Sequence, residues 1–180
     1  MIHGPLVTLV KPAIFALLAA NAVIFATAGR AAEGLDALAW FALLVLFEIE
    51  IRCPQWTRIA RNAAALDLLR LVAAAAIAIA ALTFVREAEW LDATNAWLWI
   101  AVVAALELEV RAPSLVARCR TALTIVSIAL YGALTAVAVV WLAQGEWFDG
   151  YDAVLWIAAF ALIELDLLRP ITPAADPRTS

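Results

Sequence analysis

Hydrophobic residues in this chain fall into six runs separated by short polar segments. The runs cover residues 12–28, 38–47, 71–85, 96–106, 128–143 and 153–163. Several are shorter than the roughly 20 residues that cross the hydrocarbon of a bilayer, but each lengthens when its polar flanks lie at headgroup depth. The pattern therefore predicts six transmembrane helices, arranged as three hairpins.

One pattern of polar and apolar positions occurs three times in the sequence. Each copy opens with an acid or amide that is followed four residues later by tryptophan, and it closes with an acidic pair, an arginine and a proline. The copies begin at Asp36, Asn95 and Asp152. A repeat of this length is one supersecondary unit. Two helices per unit leave all three units in the same orientation, so the sequence predicts a pseudo-threefold axis along the membrane normal.

The predicted fold is an all-α integral membrane protein of six transmembrane helices, built from three tandem two-helix hairpin repeats. The repeats cover 5–54, 55–113 and 114–170. Together they form a single membrane domain within residues 1–180. We expect residues 171–180 to be a disordered cytoplasmic tail.

The composition supports a membrane location. Hydrophobic residues make up 67% of the chain and charged residues 16%, and the mean hydropathy is +0.96. Soluble domains usually contain about 45–50% apolar and about 25% charged residues. A soluble fold of 180 residues has too little interior to hide this much apolar surface, so we expect the excess to face lipid.

Charge is divided between the two sides of the predicted topology. Ten basic residues lie near the chain ends or in the segments that join the hairpins: Lys11, Arg52, Arg58, Arg61, Arg70, Arg111, Arg118, Arg120, Arg169 and Arg178. The hairpin turns contain only two, Arg30 and Arg86, among many acids. Since basic residues near helix ends stay on the cytoplasmic side, the sequence predicts a multi-pass protein of the bacterial inner (plasma) membrane with both termini in the cytoplasm.

The polar anchors and the tryptophans have structural interpretations. Asp36, Asn95 and Asp152 are residue types that favour helix N-caps, so we expect them to begin helices two, four and six. Seven of the eight tryptophans cluster towards the acidic side, which predicts an aromatic belt at that membrane interface.

The candidate site residues are three acidic pairs near the predicted cytoplasmic ends of the even-numbered helices, with the arginines that follow them. They are Glu48, Glu50 and Arg52, Glu107, Glu109 and Arg111, and Glu164, Asp166 and Arg169. Ionisable residues in a membrane are costly and suggest function, so three equivalent acids fit a ring around a proton or cation pathway. A structural clamp at the base of each hairpin also explains the repetition, because Glu48 with Arg52 is a favourable i,i+4 pair. The position of the pairs near the interface rather than at mid-membrane favours the clamp. The sequence leaves both interpretations open.

Several chemistries have no residues to support them. His3 is the only histidine, and Cys53 and Cys119 are far apart in the chain. These counts disfavour a bis-histidine haem site and a zinc cluster. There is also no phosphate-binding glycine loop and no Ser/His/Asp set. We therefore expect no enzymatic activity, no cofactor and no bound metal.

Two functions fit these features. The first is a small channel or transporter that moves protons or cations past the repeated acids. The alternative is a non-catalytic membrane subunit or scaffold that assembles with a larger membrane complex, with other subunits or with itself. The lipid bilayer is the expected partner in both cases. We expect no nucleic-acid partner, because the basic residues are spread over three hairpin bases.

Overall fold

The protein is all-helical, as the sequence predicts. The computed structural model describes residues 5–53, 55 and 59–167. The six helices are α1 (Pro5–Ala28), α2 (Ala31–Arg52), α3 (Ala60–Arg86), α4 (Trp90–Arg111), α5 (Pro113–Gln144) and α6 (Trp147–Leu167). Four of them contain a segment long and apolar enough to span a membrane: Val10–Ala28, Arg61–Arg86, Trp90–Leu108 and Val116–Gln144.

The remaining helices, α2 and α6, have 22 and 21 residues. At about 1.5 Å per residue each is roughly 32 Å long, which matches the hydrocarbon thickness of a bilayer. Acidic residues near both ends, such as Asp36 and Glu50 in α2, limit the uninterrupted apolar segment of each of these two helices.

The helices form a closed ring. Each helix packs against its neighbours in the chain, and α1 packs against α6 to complete the circle. Within the described part of the chain no other pair of helices brings its backbones close together. The turns that follow α1, α3 and α5, at 29–30, 87–89 and 145–146, lie at one end of the ring, which we call the acidic end. The opposite end, which contains Lys11 and Arg70, is the basic end.

Small residues allow two of the hairpins to close tightly at the acidic end. A Cβ atom on Gly34 would lie 2.8 Å from the Cα atom of Ala26, and one on Gly150 would lie 2.7 Å from the side chain of Leu142. The equivalent position of the second hairpin is Ala93, which is buried. Helix backbones approach closely in lipid only where side chains are small, so these positions set the spacing of the hairpins.

The turns after α3 and α5 have the same backbone hydrogen bond. The N–H of Glu89 donates to the carbonyl of Phe84 at 2.9 Å, and the equivalent bond after α5 is also 2.9 Å long. Both turns contain one residue in the left-handed region, Ala88 with φ 61° and Gly145 with φ 90°. Glycine adopts this conformation at little cost, whereas the Cβ atom of alanine makes it unfavourable.

The centre of the ring is filled by apolar side chains. The core includes Leu18, Leu44, Ile77, Val102 and Leu134. Every helix also exposes large apolar side chains on the outside of the ring, with Leu71 at 67% and Ile128 at 69% exposure. Helices that are apolar on all sides are typical of membrane spans, so the outer surface is suited to contact with lipid.

The predicted N-caps are wrong. Asp36, Asn95 and Asp152 are each the sixth residue of a helix, because the helices begin five residues earlier than expected. The third residue of each helix is acidic instead: Glu33, Asp92 and Asp149. Negative charge in the first turn favours the positive end of the helix dipole, which stabilises the earlier start.

Candidate functional site at the acidic end

A cavity of about 60 Å³ lies between the helices at the acidic end. At roughly 10–15 Å³ for each water-sized probe, it has room for about four to six water-sized groups. Fourteen residues line it: Phe25, Glu33, Asp36, Ala37, Trp40, Phe84, Asp92, Asn95, Trp99, Trp141, Asp149, Asp152, Ala153 and Trp156. The lining is thus made almost entirely of acidic and aromatic side chains.

Twelve of these fourteen residues form four sets of equivalent positions in the repeated sequence pattern. Members of a set are separated by the same 59 and 57 residues as the polar anchors, which stand at 36, 95 and 152. The sets are Phe25, Phe84 and Trp141; Glu33, Asp92 and Asp149; Asp36, Asn95 and Asp152; and Trp40, Trp99 and Trp156. The three copies of the sequence pattern therefore contribute equivalent residues to one cavity.

The spacing within each helix explains this convergence. In α2, Glu33, Asp36 and Trp40 are three and four residues apart, so they lie on one face of the helix. The same spacing occurs in α4 and α6. Each of these helices presents that face to the cavity.

Three tryptophans pack together at the floor of the cavity. The ring centroids of Trp40 and Trp99 are 6.3 Å apart, and those of Trp99 and Trp156 are 6.4 Å apart. All three are buried, as is Trp141. The predicted aromatic belt is therefore wrong for these four residues, because their helix faces point inward. Exposed tryptophans suited to such a belt are Trp90, Trp97 and Trp147.

The three polar anchors have different surroundings. The side-chain amide of Asn21, on α1, donates a hydrogen bond of 2.7 Å to Asp152 Oδ1. The positions equivalent to Asn21 in the other two units are Ala80 and Val137, which have no side-chain donor. Among the described residues, Asp152 is therefore the anchor that receives a side-chain amide from the helix that follows its own around the ring.

Three buried polar atoms of the cavity have no hydrogen-bond partner in the described part of the chain. They are Asp36 Oδ1, Asn95 Oδ1 and Trp40 Nε1. Trp40 is only 7% exposed. An unpartnered buried donor or acceptor costs about 1–3 kcal/mol. The indole N–H of Trp40 interacts with the carboxylate of Asp36, one turn earlier on α2, outside ideal hydrogen-bond geometry. Asp36 Oδ1 and Asn95 Oδ1 are therefore the oxygens of the cavity that lack a partner.

Arg30 lies at the edge of the cavity in a group of carboxylates. Its Nε is 2.6 Å from Glu33 Oε1, one Nη is 2.8 Å from Asp92, and the other is 2.5 Å from Glu89. Partial burial opposes the charge of Arg30, but hydrogen bonds and charges from Glu33 and Asp92 outweigh it and raise the pKa of the guanidinium. Arg30 thus holds the turn of the first hairpin against the start of α4.

The predicted site residues of the first unit lie at the basic end, and each is ion-paired. Glu48 contacts Arg52, its partner one turn later, and it is 2.8 Å from the Nζ atom of Lys11 on α1. Glu50 contacts Arg70 on α3. These acids therefore join α2 to both of its neighbours in the ring.

The other predicted site residues are described only in part. Glu107, on α4, is close enough to Arg70 on α3 for an electrostatic interaction between their side chains. The remaining candidates lie outside the described side chains: Glu109, Arg111, Glu164, Asp166 and Arg169. None of the described candidates lines the cavity at the acidic end.

The described residues contain no group of three or more His, Cys, Asp or Glu side chains arranged to hold a metal ion. Comparison of the chain with protein-family models, with curated proteins and with solved structures found no match. The function must therefore be argued from the cavity itself.

Proposed function

We propose that the protein is a small membrane transporter that binds a proton or small cation in the cavity at the acidic end. The observation that carries the proposal is the unpartnered Asp36 Oδ1, buried where four sets of equivalent positions meet. A buried carboxylate without a partner is costly, and intramembrane acids are typical of ion and proton pathways. A bound cation or proton removes that cost.

The convergence of equivalent positions supports three tandem hairpins around a pseudo-threefold axis. Parallel repeats related by such an axis are known among transporters, and their binding sites lie where the repeats meet. In this protein the cavity lies on that axis, between α2, α4 and α6. All six helices cross the membrane in this arrangement.

Apolar packing supports a transporter rather than an open channel. Leu18, Leu44, Val102 and Leu134 belong to the cluster that fills the ring between the cavity and the basic end. A channel needs a continuous polar path, whereas a transporter alternates between states that open to one side. In this proposal the structure represents a state with its site accessible from the acidic end.

The uneven charge supports an orientation with the acidic end outside and both termini in the cytoplasm of a bacterial cell. Reporter fusions placed after Arg52 and after Arg111 test it. We expect both fusions to report a cytoplasmic position. A periplasmic signal from either one would contradict the six-span topology.

In this proposal the acidic pairs at the basic end act as clamps. Glu48 and Glu50 each contact a basic side chain, so neither carboxylate of the first unit needs a transported ion for charge balance. This arrangement favours the clamp over the ion pathway for these two residues. The cavity acids are the ones that we assign to transport.

Flux measurements in proteoliposomes test the proposal. Wild-type protein should carry protons or monovalent cations, and Asp36→Asn should lower the rate by about tenfold or more, as expected for loss of a charged ligand. Asp67→Asn is the matched control, since Asp67 is 74% exposed near the basic end. If wild-type protein carries no proton or cation, the transport proposal fails, and the non-catalytic membrane subunit is the better account.

A further inference from the structure

The groups around the cavity restrict the kind of cation that it suits. Three anchors, Asp36, Asn95 and Asp152, come from equivalent positions of α2, α4 and α6. Two of them have an unpartnered oxygen in the described part of the chain. Hydrogen-bond acceptors arranged about a threefold axis suit a ligand whose hydrogen-bond donors have the same symmetry.

We infer that the cavity binds a small protonated primary amine. The inference rests on the proposed function, because it names the cation for the same site. A primary ammonium group carries three N–H donors around a threefold axis. The oxygens of Asp36 and Asn95 accept two of them, and the carboxylate of Asp152 has acceptor capacity beyond its bond from Asn21.

Metal cations fit this cavity poorly. Magnesium and calcium need six or more oxygen ligands. The acids that line the cavity are not placed for such a shell, since the described residues hold no group of three or more His, Cys, Asp or Glu side chains arranged around a metal ion. An ammonium group is satisfied by fewer oxygens, because each N–H needs one acceptor.

The aromatic lining favours an organic cation over a hydrated inorganic one. Ring faces attract cations within about 6 Å of the ring centroid, and tryptophan is the strongest such ring. Trp40 and Trp99 meet at an interplanar angle of 57°, so their rings form a corner at the floor of the cavity.

The volume limits the length of the amine. A cavity of about 60 Å³ holds about four to six water-sized groups, so the ligand has at most about six non-hydrogen atoms. Methylammonium and ethylammonium are within this limit. Tetramethylammonium is larger, with five non-hydrogen atoms, but it is also within the limit and has no N–H donor, which makes it a control ligand.

Binding to the purified full-length protein in detergent micelles tests the inference. Methylammonium, tetramethylammonium, sodium and potassium chlorides are titrated separately at constant ionic strength, with tryptophan fluorescence as the signal. We expect saturable binding of methylammonium with a Kd about tenfold lower than that of any other ion, since only it supplies N–H donors. Asp36→Asn should raise that Kd by about tenfold, and Asp67→Asn should leave it unchanged.

The outcomes separate this inference from the proposed function. If sodium, potassium or tetramethylammonium binds as tightly as methylammonium, the amine inference is wrong although a cation site exists. Proton flux that depends on Asp36, without methylammonium binding, also overturns the amine inference alone. If no ion gives a saturable signal and no flux occurs, both proposals fail. The comparison of ligands uses wild-type protein, so it does not depend on the folding of a variant.

Discussion

The side-chain amide of Asn21 donates a hydrogen bond of 2.7 Å to Asp152 Oδ1, and this bond joins the first helix of the ring to the last. Asn21 is only 4% exposed, and its neighbours in the sequence of α1 are apolar. A buried amide that partners a carboxylate both closes the ring and shapes one side of the cavity.

Replacement of Asn21 by leucine should destabilise the protein by about 1–3 kcal/mol, because it leaves the partly buried carboxylate of Asp152 without this donor. Unfolding in detergent measures the loss. In an Asp152→Leu background the same replacement should cost much less, since the two residues act as a pair. Equal losses in both backgrounds would show that the hydrogen bond does not stabilise the ring.

The close contact at Gly34 predicts that replacement by alanine changes stability in opposite directions at Gly34 and at Gly132. Gly34→Ala should lower the free energy of unfolding by about 1–3 kcal/mol, since the added Cβ atom meets the backbone of Ala26. Gly132 is the matched control, because a Cβ atom there meets nothing within 4 Å. Gly132→Ala should raise stability by up to about 1 kcal/mol through its better helix propensity. Similar effects of both changes would contradict the tight hairpin.

The left-handed residue after α3 predicts a stabilising substitution. Ala88→Gly should raise the free energy of unfolding by about 1 kcal/mol, because glycine adopts a positive φ without steric cost. At the equivalent turn, Gly145→Ala should lower stability by a similar amount. Thermal unfolding of both variants checks the pair, and an Ala88→Gly variant less stable than wild type would argue against this turn.

The sequence was sufficient to predict the all-helical fold, because long apolar runs determine helices in a membrane. It did not predict where the helices begin. Short acids such as Asp36 favour N-cap positions. They also fit the sixth residue of a helix when another acid, such as Glu33, lies three residues earlier and interacts with the positive end of the helix.

The cavity was not predicted, for a different physical reason. A membrane helix is apolar on both its lipid face and its packed face, so hydrophobicity alone does not identify the inward side. Trp40 and Trp90 therefore look alike in sequence, although they are 7% and 65% exposed. The polar residue Asn21 and the threefold recurrence of acid and tryptophan were the available signals. They mark the inward face when they are considered together.

The most direct test of the central claim compares an acid of the cavity with an acid of the basic end. Currents of proteoliposomes on a solid-supported membrane are recorded after a step in methylammonium or proton concentration, normalised to folded protein. We predict that Asp36→Asn lowers the current by about tenfold or more, while Glu50→Gln stays within about twofold of wild type, because Glu50 is paired with Arg70 and lies outside the cavity. A current that survives Asp36→Asn but is lost in Glu50→Gln would contradict the assignment of transport to the cavity.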